Sequence, residues 1–236
     1  LLNKKDYNLK LITMKHLTKV LFIVLAVVCF SNVNAQDKDN RWIVEIGTNV
    51  VDFYPTDADP SQASLDPDNS VEPIPGQDPD LPLTGGMFSD FTNTDHWNTG
   101  AFVSRLRVGY YVGSGFSVGV TGTFNSITQV GDVKVDNAKY LATDLDVKWN
   151  VLMGKHYWID PYLLVGGGYT WLGEGGNGTG NAGIGLNFWF NDWLGANVQT
   201  KYKHSFDEDK LFPHWQHAVG VTFKFGGVDT DGDGIY

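Results

Sequence analysis

The stretch AFVSRLRVGYYVGSGFSVGVTGTFN, residues 101–125, decides the fold, because its side chains alternate in character from one residue to the next. Leu106 and Val108 alternate with Arg105 and Arg107, and apolar residues alternate with small or polar ones from 116 to 125. Successive residues of a strand point to opposite faces of a sheet. Residues 112–115, Val-Gly-Ser-Gly, provide a turn. The stretch therefore predicts two antiparallel strands, 101–111 and 116–125.

Six further stretches show the same alternation, which gives eight predicted strands in total. No window after residue 35 has a sustained apolar repeat at helical spacing, so the chain is predicted to be all-β. In the stretch 162–171, the fifth predicted strand of the chain, glycines are frequent and the pattern does not show which face is apolar. The six are residues 41–51, 139–150, 162–171, 181–190, 193–203 and 214–225.

The type of sheet depends on which face meets water. In a soluble secreted barrel, the charged face that carries Arg105, Asp144, Lys148 and Lys201 is solvated. Strands of about ten residues, an even strand number and alternating short and long connections favour a membrane barrel instead. Short connections follow the second, fourth and sixth strands, and aromatic residues lie near both strand ends. We predict an all-β, eight-stranded antiparallel transmembrane β-barrel of the outer-membrane type, in the outer-membrane lipid of a Gram-negative-type bacterium.

The first 35 residues predict export. Residues 14–35 combine Lys15 and Lys19, an apolar run at 20–30 and small residues up to Ala35, the order of a secretory signal peptide. The apolar run is too short to span a bilayer. We expect cleavage after Ala35, with residues 1–13 as an extended leader or as read-through upstream of the true start. The barrel then occupies residues 36–227.

The charge of the chain excludes one class of partner. The net charge is −10, and without residues 1–35 there remain 12 basic and 26 acidic residues, a net charge of −14. Such an acidic surface repels phosphate, so we expect no nucleic acid partner. The single cysteine, Cys29, lies in the leader and excludes a disulfide framework.

Charged residues of both signs lie on the predicted inner face of the barrel. An eight-stranded barrel is just wide enough to be filled by its own side chains, and buried charges are costly unless they are paired. We expect a paired network that fills and stiffens the barrel, with a small gated ion pore as the alternative. The residues are Glu45, Arg105, Arg107, Asp144, Asp146, Lys148, Lys201, Lys203 and Lys224.

The first connection, residues 52–98, is long and acidic. It holds seven of the nine prolines and ten acidic residues, and it has no lysine or arginine. Connections of this length are usually functional or disordered. It is either a hydrated external loop or the recognition surface of an adhesin or ligand-binding barrel.

Three histidines are candidate catalytic residues: His204 beside Ser205, His214 and His217. The sequence indicates no third group to orient a nucleophile and its base. We therefore predict that the chain is not an enzyme.

The chain resembles the OmpA-like outer-membrane proteins, and the resemblance is most specific near its end. Residues 217–227, HAVGVTFKFGG, are similar to the last barrel strand of this family, which ends in an outward aromatic residue. The resemblance covers about residues 41–236 and implies a structural barrel that is recognised by the barrel-insertion machinery. In many family members the barrel is linked to a periplasmic peptidoglycan-binding domain, and this sequence contains no such domain.

The tail, residues 228–236, ends in DTDGDGIY and spaces Asp229, Asp231 and Asp233 at alternate positions. Carboxylates at this spacing, followed by a glycine, can converge on a calcium ion. The tail resembles the start of a thrombospondin type 3-like calcium repeat, and the alternative is an acidic linker. The calcium site is incomplete in this sequence, and we expect residues beyond Tyr236 to complete it.

Overall fold

The computed structural model describes residues 40–54, 85–86, 88–131, 133–152, 158–173, 175–207 and 210–226. The predicted leader, residues 55–84 of the acidic loop and the tail with Asp229, Asp231 and Asp233 lie outside the described residues.

Eight long antiparallel strands close into a barrel. With a short additional strand, β2, the strands among the described residues are β1 (Trp42–Asp52), β2 (Asn98–Thr99), β3 (Arg105–Gly113), β4 (Phe116–Val130), β5 (Val133–Asn150), β6 (Ile159–Leu172), β7 (Gly175–Trp189), β8 (Leu194–Ser205) and β9 (His214–Phe225). Strands β3 to β9 pair in sequence order, and β1 pairs with both β3 and β9, which closes the ring. The short β2 extends the sheet beside the end of β1. The prediction of an eight-stranded antiparallel barrel is confirmed.

Two of the predicted long loops are strand extensions. Strands β4 and β5 continue to Val130 and Val133, and β6 and β7 continue to Leu172 and Gly175. Gly131 and Gly173 have φ values of 56° and 58° in the tight turns that follow β4 and β6. In the β4–β5 extension the alternation is inverted, because Ile127 is buried while its neighbours are exposed. This extension has polar residues on its outer face and apolar residues on its inner face. The sequence analysis looked for apolar residues on the outer face, so it did not predict the extension.

The second predicted strand begins later than expected. β3 starts at Arg105, and Phe102 before it is 91% exposed. The preceding residues follow β1 instead, with the Gly100 amide donating to Asn49 O at 2.8 Å and the Ser104 amide donating to Gly47 O at 2.9 Å. The regular pairing of β1 with β3 therefore begins only at Arg105.

The outer wall of the barrel is apolar. Exposed aliphatic side chains surround its middle, and exposed tryptophans such as Trp42, Trp158 and Trp193 lie at the end with the short turns. In β6, whose facing the sequence left open, Leu163 and Val165 point outward. Apolar residues outside and charged residues inside exclude the soluble alternative. None of the described residues forms a helix with the length and hydropathy that a membrane crossing requires.

Candidate functional site: the charged lumen

Glu45, on β1, binds three cations inside the barrel. Its carboxylate lies 2.8 Å from Arg105 Nη2, 2.6 Å from Lys148 Nζ and 3.4 Å from Arg107 Nη1. All four side chains are buried. Because Lys148 is on β5, the group joins strands that are not neighbours in the sheet.

Arg107 also binds a second carboxylate. Its Nε and Nη2 donate to Asp146 Oδ1 at 3.0 and 2.7 Å, and Thr121 Oγ1 donates to Asp146 Oδ2 at 3.0 Å. The guanidinium lies over Gly109 and Gly119, which are paired between β3 and β4. A Cβ on Gly119 would come within 2.4 Å of Arg107 Nη2. The two glycines therefore make room for the Arg107 head group.

Asp144 is the centre of a second ion-pair group. Its Oδ2 lies 2.5 Å from Lys201 Nζ, and its Oδ1 lies 2.8 Å from Lys203 Nζ. Asn181 Nδ2 also donates to Oδ1 at 2.9 Å. These buried side chains connect β5, β7 and β8.

Neutral residues link the Glu45 group to the opposite wall of the lumen. Arg105 Nη2 donates to Gln199 Oε1 at 3.2 Å, and the Tyr162 hydroxyl donates to the same oxygen at 3.1 Å. Lys148 Nζ lies 4.2 Å from the centroid of the Tyr162 ring. The sequence analysis did not select Gln199 as a site residue. The inward orientation of Tyr162 could not be predicted, because β6 is rich in glycine.

Lys224 and Asp160 lie toward the end of the lumen with the short turns. Lys224 Nζ lies 4.0 Å from the ring centroid of Trp189, a cation–π contact. Asp160 is buried and accepts a hydrogen bond from Asn150 Nδ2. The sequence analysis missed Asp160 because it opens β6, the strand of undetermined facing.

The structure places all nine predicted lumenal residues inside the barrel. Eight of them take part in the two ion-pair groups, and Lys224 contacts Trp189. Removing one partner from such a buried pair typically costs about 3–5 kcal/mol, because the other charge is left without compensation. The ion pairs therefore connect side chains of β1, β3, β5 and β8 across the lumen.

Apolar side chains fill the lumen on the loop side of these charges. Within this loop-side cluster, the Tyr140 hydroxyl lies 2.9 Å from His214 Nε2, a contact that connects β5 with β9. At the opposite end, Ile43 packs with Trp189. An apolar cluster thus lies on the loop side of the charged groups, whereas at the end with the short turns Ile43 and Trp189 lie among buried polar residues such as Asp160 and Lys224. The loop-side cluster consists of Val51, Phe53, Ile127, Val130, Ala138, Tyr140, Ala142, Leu172, Leu211 and Phe212.

The three candidate catalytic histidines, His204, His214 and His217, do not form a catalytic arrangement with one another. His204 is exposed on the outer wall, whereas Ser205 beside it is buried and faces inward. His214 is buried, with Nδ1 2.9 Å from Phe212 O and Nε2 against Tyr140. His217 faces outward, and its Nδ1 lies 2.9 Å from Thr200 Oγ1.

Within the part of the chain that the structure describes, no cluster of three or more His, Cys, Asp or Glu side chains is arranged to hold a metal ion. The candidate ligands Asp229, Asp231 and Asp233 lie outside this part.

No protein-family model matches the chain, and no curated protein matches it. Among solved structures, the outer membrane protein OprG from Pseudomonas aeruginosa matches with a TM-score of 0.50 and 14% identity, over 80% of this chain and 98% of that one. Neisserial surface protein A matches with a TM-score of 0.49 and 11% identity, over 78% of this chain and 96% of that one. The N-terminal β-barrel domain of Pseudomonas aeruginosa OprF gives 0.44 and 12%, over 80% and 100%.

At 14% identity, the likeness to OprG shows a shared fold. The fold is that of a small outer-membrane barrel, and the apolar outer wall fits it to lipid. The chain is an outer-membrane β-barrel of a Gram-negative-type bacterium, surrounded by membrane lipid.

Proposed function

We propose that this chain is a structural barrel that anchors its protein in the outer membrane. The observation that carries the proposal is the filled lumen. Two buried ion-pair groups occupy its middle, and an apolar cluster packs on their loop side. A barrel filled in this way is suited to a rigid membrane anchor rather than to an open channel.

The energetics of the ion pairs support this proposal. To pass through the middle of the lumen, an ion must separate pairs such as Lys148–Glu45 and Lys201–Asp144. A buried charge left without its partner costs on the order of 3–5 kcal/mol, and the apolar loop-side cluster adds a further barrier to a hydrated ion.

A small gated ion pore is the second candidate, and one detail favours it. Glu45 Oε1 contacts both Lys148 Nζ at 2.6 Å and Arg107 Nη1 at 3.4 Å. An exchange in which Glu45 releases Lys148 and keeps its arginines leaves the carboxylate compensated. The released Lys148 ammonium would keep its contact with the Tyr162 ring, whose centroid lies 4.2 Å from Nζ.

The anchor role includes no catalysis. The support is that His204 and Ser205 face opposite sides of the wall, while His214 is buried and held by Tyr140 and Phe212.

The segments before and after the barrel have the roles that they have in OmpA-like proteins. The signal peptide directs export, and the closing strand that ends at Phe225 is recognised by the barrel-insertion machinery. Beyond the barrel, Asp229, Asp231 and Asp233 begin a calcium-binding linker to a peptidoglycan-binding domain encoded downstream.

Co-sedimentation with isolated peptidoglycan tests the anchor role. Lipid vesicles that carry the chain with its native downstream sequence should sediment with peptidoglycan, whereas vesicles carrying residues 36–236 should stay in the supernatant. If the longer chain does not sediment, the anchor proposal is wrong. If residues 36–236 sediment equally well, the attachment lies in the barrel or its loops.

Removal of residues 55–84 separates the anchor from a receptor that acts through the acidic loop. An anchor without this segment should still insert into vesicles and bind peptidoglycan through its downstream domain. A variant with the same residues in scrambled order is the matched control. Loss of insertion or of peptidoglycan binding on deletion would contradict the proposal.

A further inference from the structure

The two ion-pair groups of the lumen hold more positive than negative charge. In the first group, three cations share the two carboxylates of Glu45 and Asp146. In the second group, two lysines share the single carboxylate of Asp144. Each group therefore has one cation in excess of its carboxylates, and buried charge without a counter-charge is costly. The five cations are Arg105, Arg107, Lys148, Lys201 and Lys203.

Buried charges nearer the ends of the barrel reduce this excess but do not remove it. Lys224 and Asp160 lie at the end with the short turns, and Asp52 ends β1 on the loop side. With these three, the buried side chains of the described residues include six lysines and arginines and five carboxylates. One monovalent anion would balance this set.

The two groups adjoin inside the barrel. Asp144 and Asp146 are two positions apart on β5, so their Cα atoms are separated by about 7 Å. From the first group, Arg105 reaches the wall formed by β8, where its Nη2 donates to Gln199 Oε1 at 3.2 Å. Gln199 is buried two positions before Lys201, which belongs to the second group. Arg105 and Lys201 therefore meet the same part of β8.

Buried hydrogen-bond donors without an acceptor lie at this place. Arg105 Nε has no hydrogen-bond partner among the described residues. Gln216, the cross-strand partner of Lys201 on β9, is 1% exposed, and neither atom of its amide has a partner there. The Lys201 ammonium has three donors, and its one hydrogen bond within the described residues is to Asp144. Because nearly all buried donors in proteins are satisfied, these groups indicate an acceptor between them.

We propose that the lumen binds one small monovalent anion, of the halide class, between Arg105 Nε, the Gln216 amide and Lys201. An anion accepts hydrogen bonds from all three groups, and it supplies the negative charge that the two ion-pair groups lack. A water molecule could accept the same hydrogen bonds but would leave the charge excess unchanged. The interior of an eight-stranded barrel is narrow, which favours a monatomic ion over a larger organic anion.

Anomalous diffraction from residues 36–236, refolded and crystallised in sodium bromide, tests the proposal, because bromide gives an anomalous signal and water does not. The wild type should show one lumenal bromide within hydrogen-bond distance of Arg105 Nε and the Gln216 amide. Gln216→Glu supplies a carboxylate at the same place and should remove this peak while the barrel still forms. A lumen without bromide, or with bromide only away from Arg105 and Gln216, would overturn the proposal.

Urea unfolding in lipid vesicles, after refolding in sodium bromide or in sodium gluconate of equal ionic strength, gives a second readout. The wild type should unfold at lower urea in gluconate, whereas Gln216→Glu should unfold at the same urea concentration in both salts. Thr222→Val is the matched control, because Thr222 is a buried residue of β9 whose hydroxyl also has no partner among the described residues. It lies six positions from Gln216, about 20 Å along the strand, and should keep the wild-type salt dependence. Equal salt dependence of Gln216→Glu and Thr222→Val, or none in the wild type, would contradict the proposal.

Discussion

Lys148 reaches Glu45 inside the barrel, with 2.6 Å between Lys148 Nζ and Glu45 Oε1, although the two residues are 103 positions apart in the chain. β1 and β5 are not neighbours in the sheet, so this contact exists only when the barrel is closed. Glu45 also compensates Arg105 and Arg107. The loss of this one carboxylate therefore affects three buried cations.

Glu45→Gln should destabilise the barrel by about 3–5 kcal/mol, because three buried cations lose a shared counter-charge. Urea unfolding in lipid vesicles measures this change. Asp136→Asn removes an exposed carboxylate and should change stability by less than about 0.5 kcal/mol. The double variant Glu45→Gln with Lys148→Met should recover part of the loss. Equal effects of Glu45→Gln and Asp136→Asn would show that the lumenal pairs do not stabilise the fold.

Gly119→Ala should lower stability by about 1–3 kcal/mol, as overpacking of a filled interior does. The new Cβ would meet the Arg107 guanidinium at 2.4–2.8 Å and displace it from Asp146. Gly122→Ala, on the same strand, is the control, because its Cβ would have no atom within 4 Å. The same urea unfolding measurement compares the two, and a neutral Gly119→Ala would mean that Arg107 does not depend on this space.

Val221→Arg should be costly because Val221 is on the lipid face of β9. An arginine near the bilayer midplane costs about 2–4 kcal/mol, against about 0–1 kcal/mol near an interface. Val112→Arg makes the same substitution at an exposed position beside a short turn, where it should cost little. Unfolding in vesicles of defined thickness separates the two variants. The reverse order would place the membrane at another height on the barrel.

The tail should bind calcium weakly in a chain that ends at Tyr236 and far more tightly when the next repeat is present. Three aspartates provide too few oxygens for a calcium ion, which takes about six to eight oxygen ligands. Isothermal titration calorimetry on both chains measures the difference. Changing Asp229, Asp231 and Asp233 to asparagine should abolish the gain. If extension gives no gain, the tail is an acidic linker.

The sequence predicts the strands best where lipid imposes the alternation. Ile184 and Val221 alternate with inward-facing residues in the membrane, and the predicted bounds of β9, 214–225, agree with the structure. Around Ile127 the outer face meets water, so the pattern inverts and the strand extension was missed. Glycines in β6 leave too few side chains to show which face of the strand points inward. The inward orientation of Asp160 and Tyr162 could therefore not be predicted.

The same alternation predicts which charges face inward, but not which of them meet. Glu45 and Arg107 are cross-strand partners, yet the shorter contact of Glu45 is with Lys148 on a distant strand. That choice depends on the closure of the barrel and on side-chain reach. The space that Gly109 and Gly119 leave for Arg107 also follows from the three-dimensional packing.

Electrical recording in planar lipid bilayers tests the central claim, that the lumen is filled and the barrel serves as an anchor. Residues 36–236, inserted as a heat-modifiable barrel, should show no steady open conductance, because the Glu45 and Asp144 groups and the apolar loop-side cluster occupy the lumen. Glu45→Gln should increase the frequency of brief openings if the filling depends on these pairs. A steady conductance of the wild type at low voltage would contradict the account and favour the ion pore.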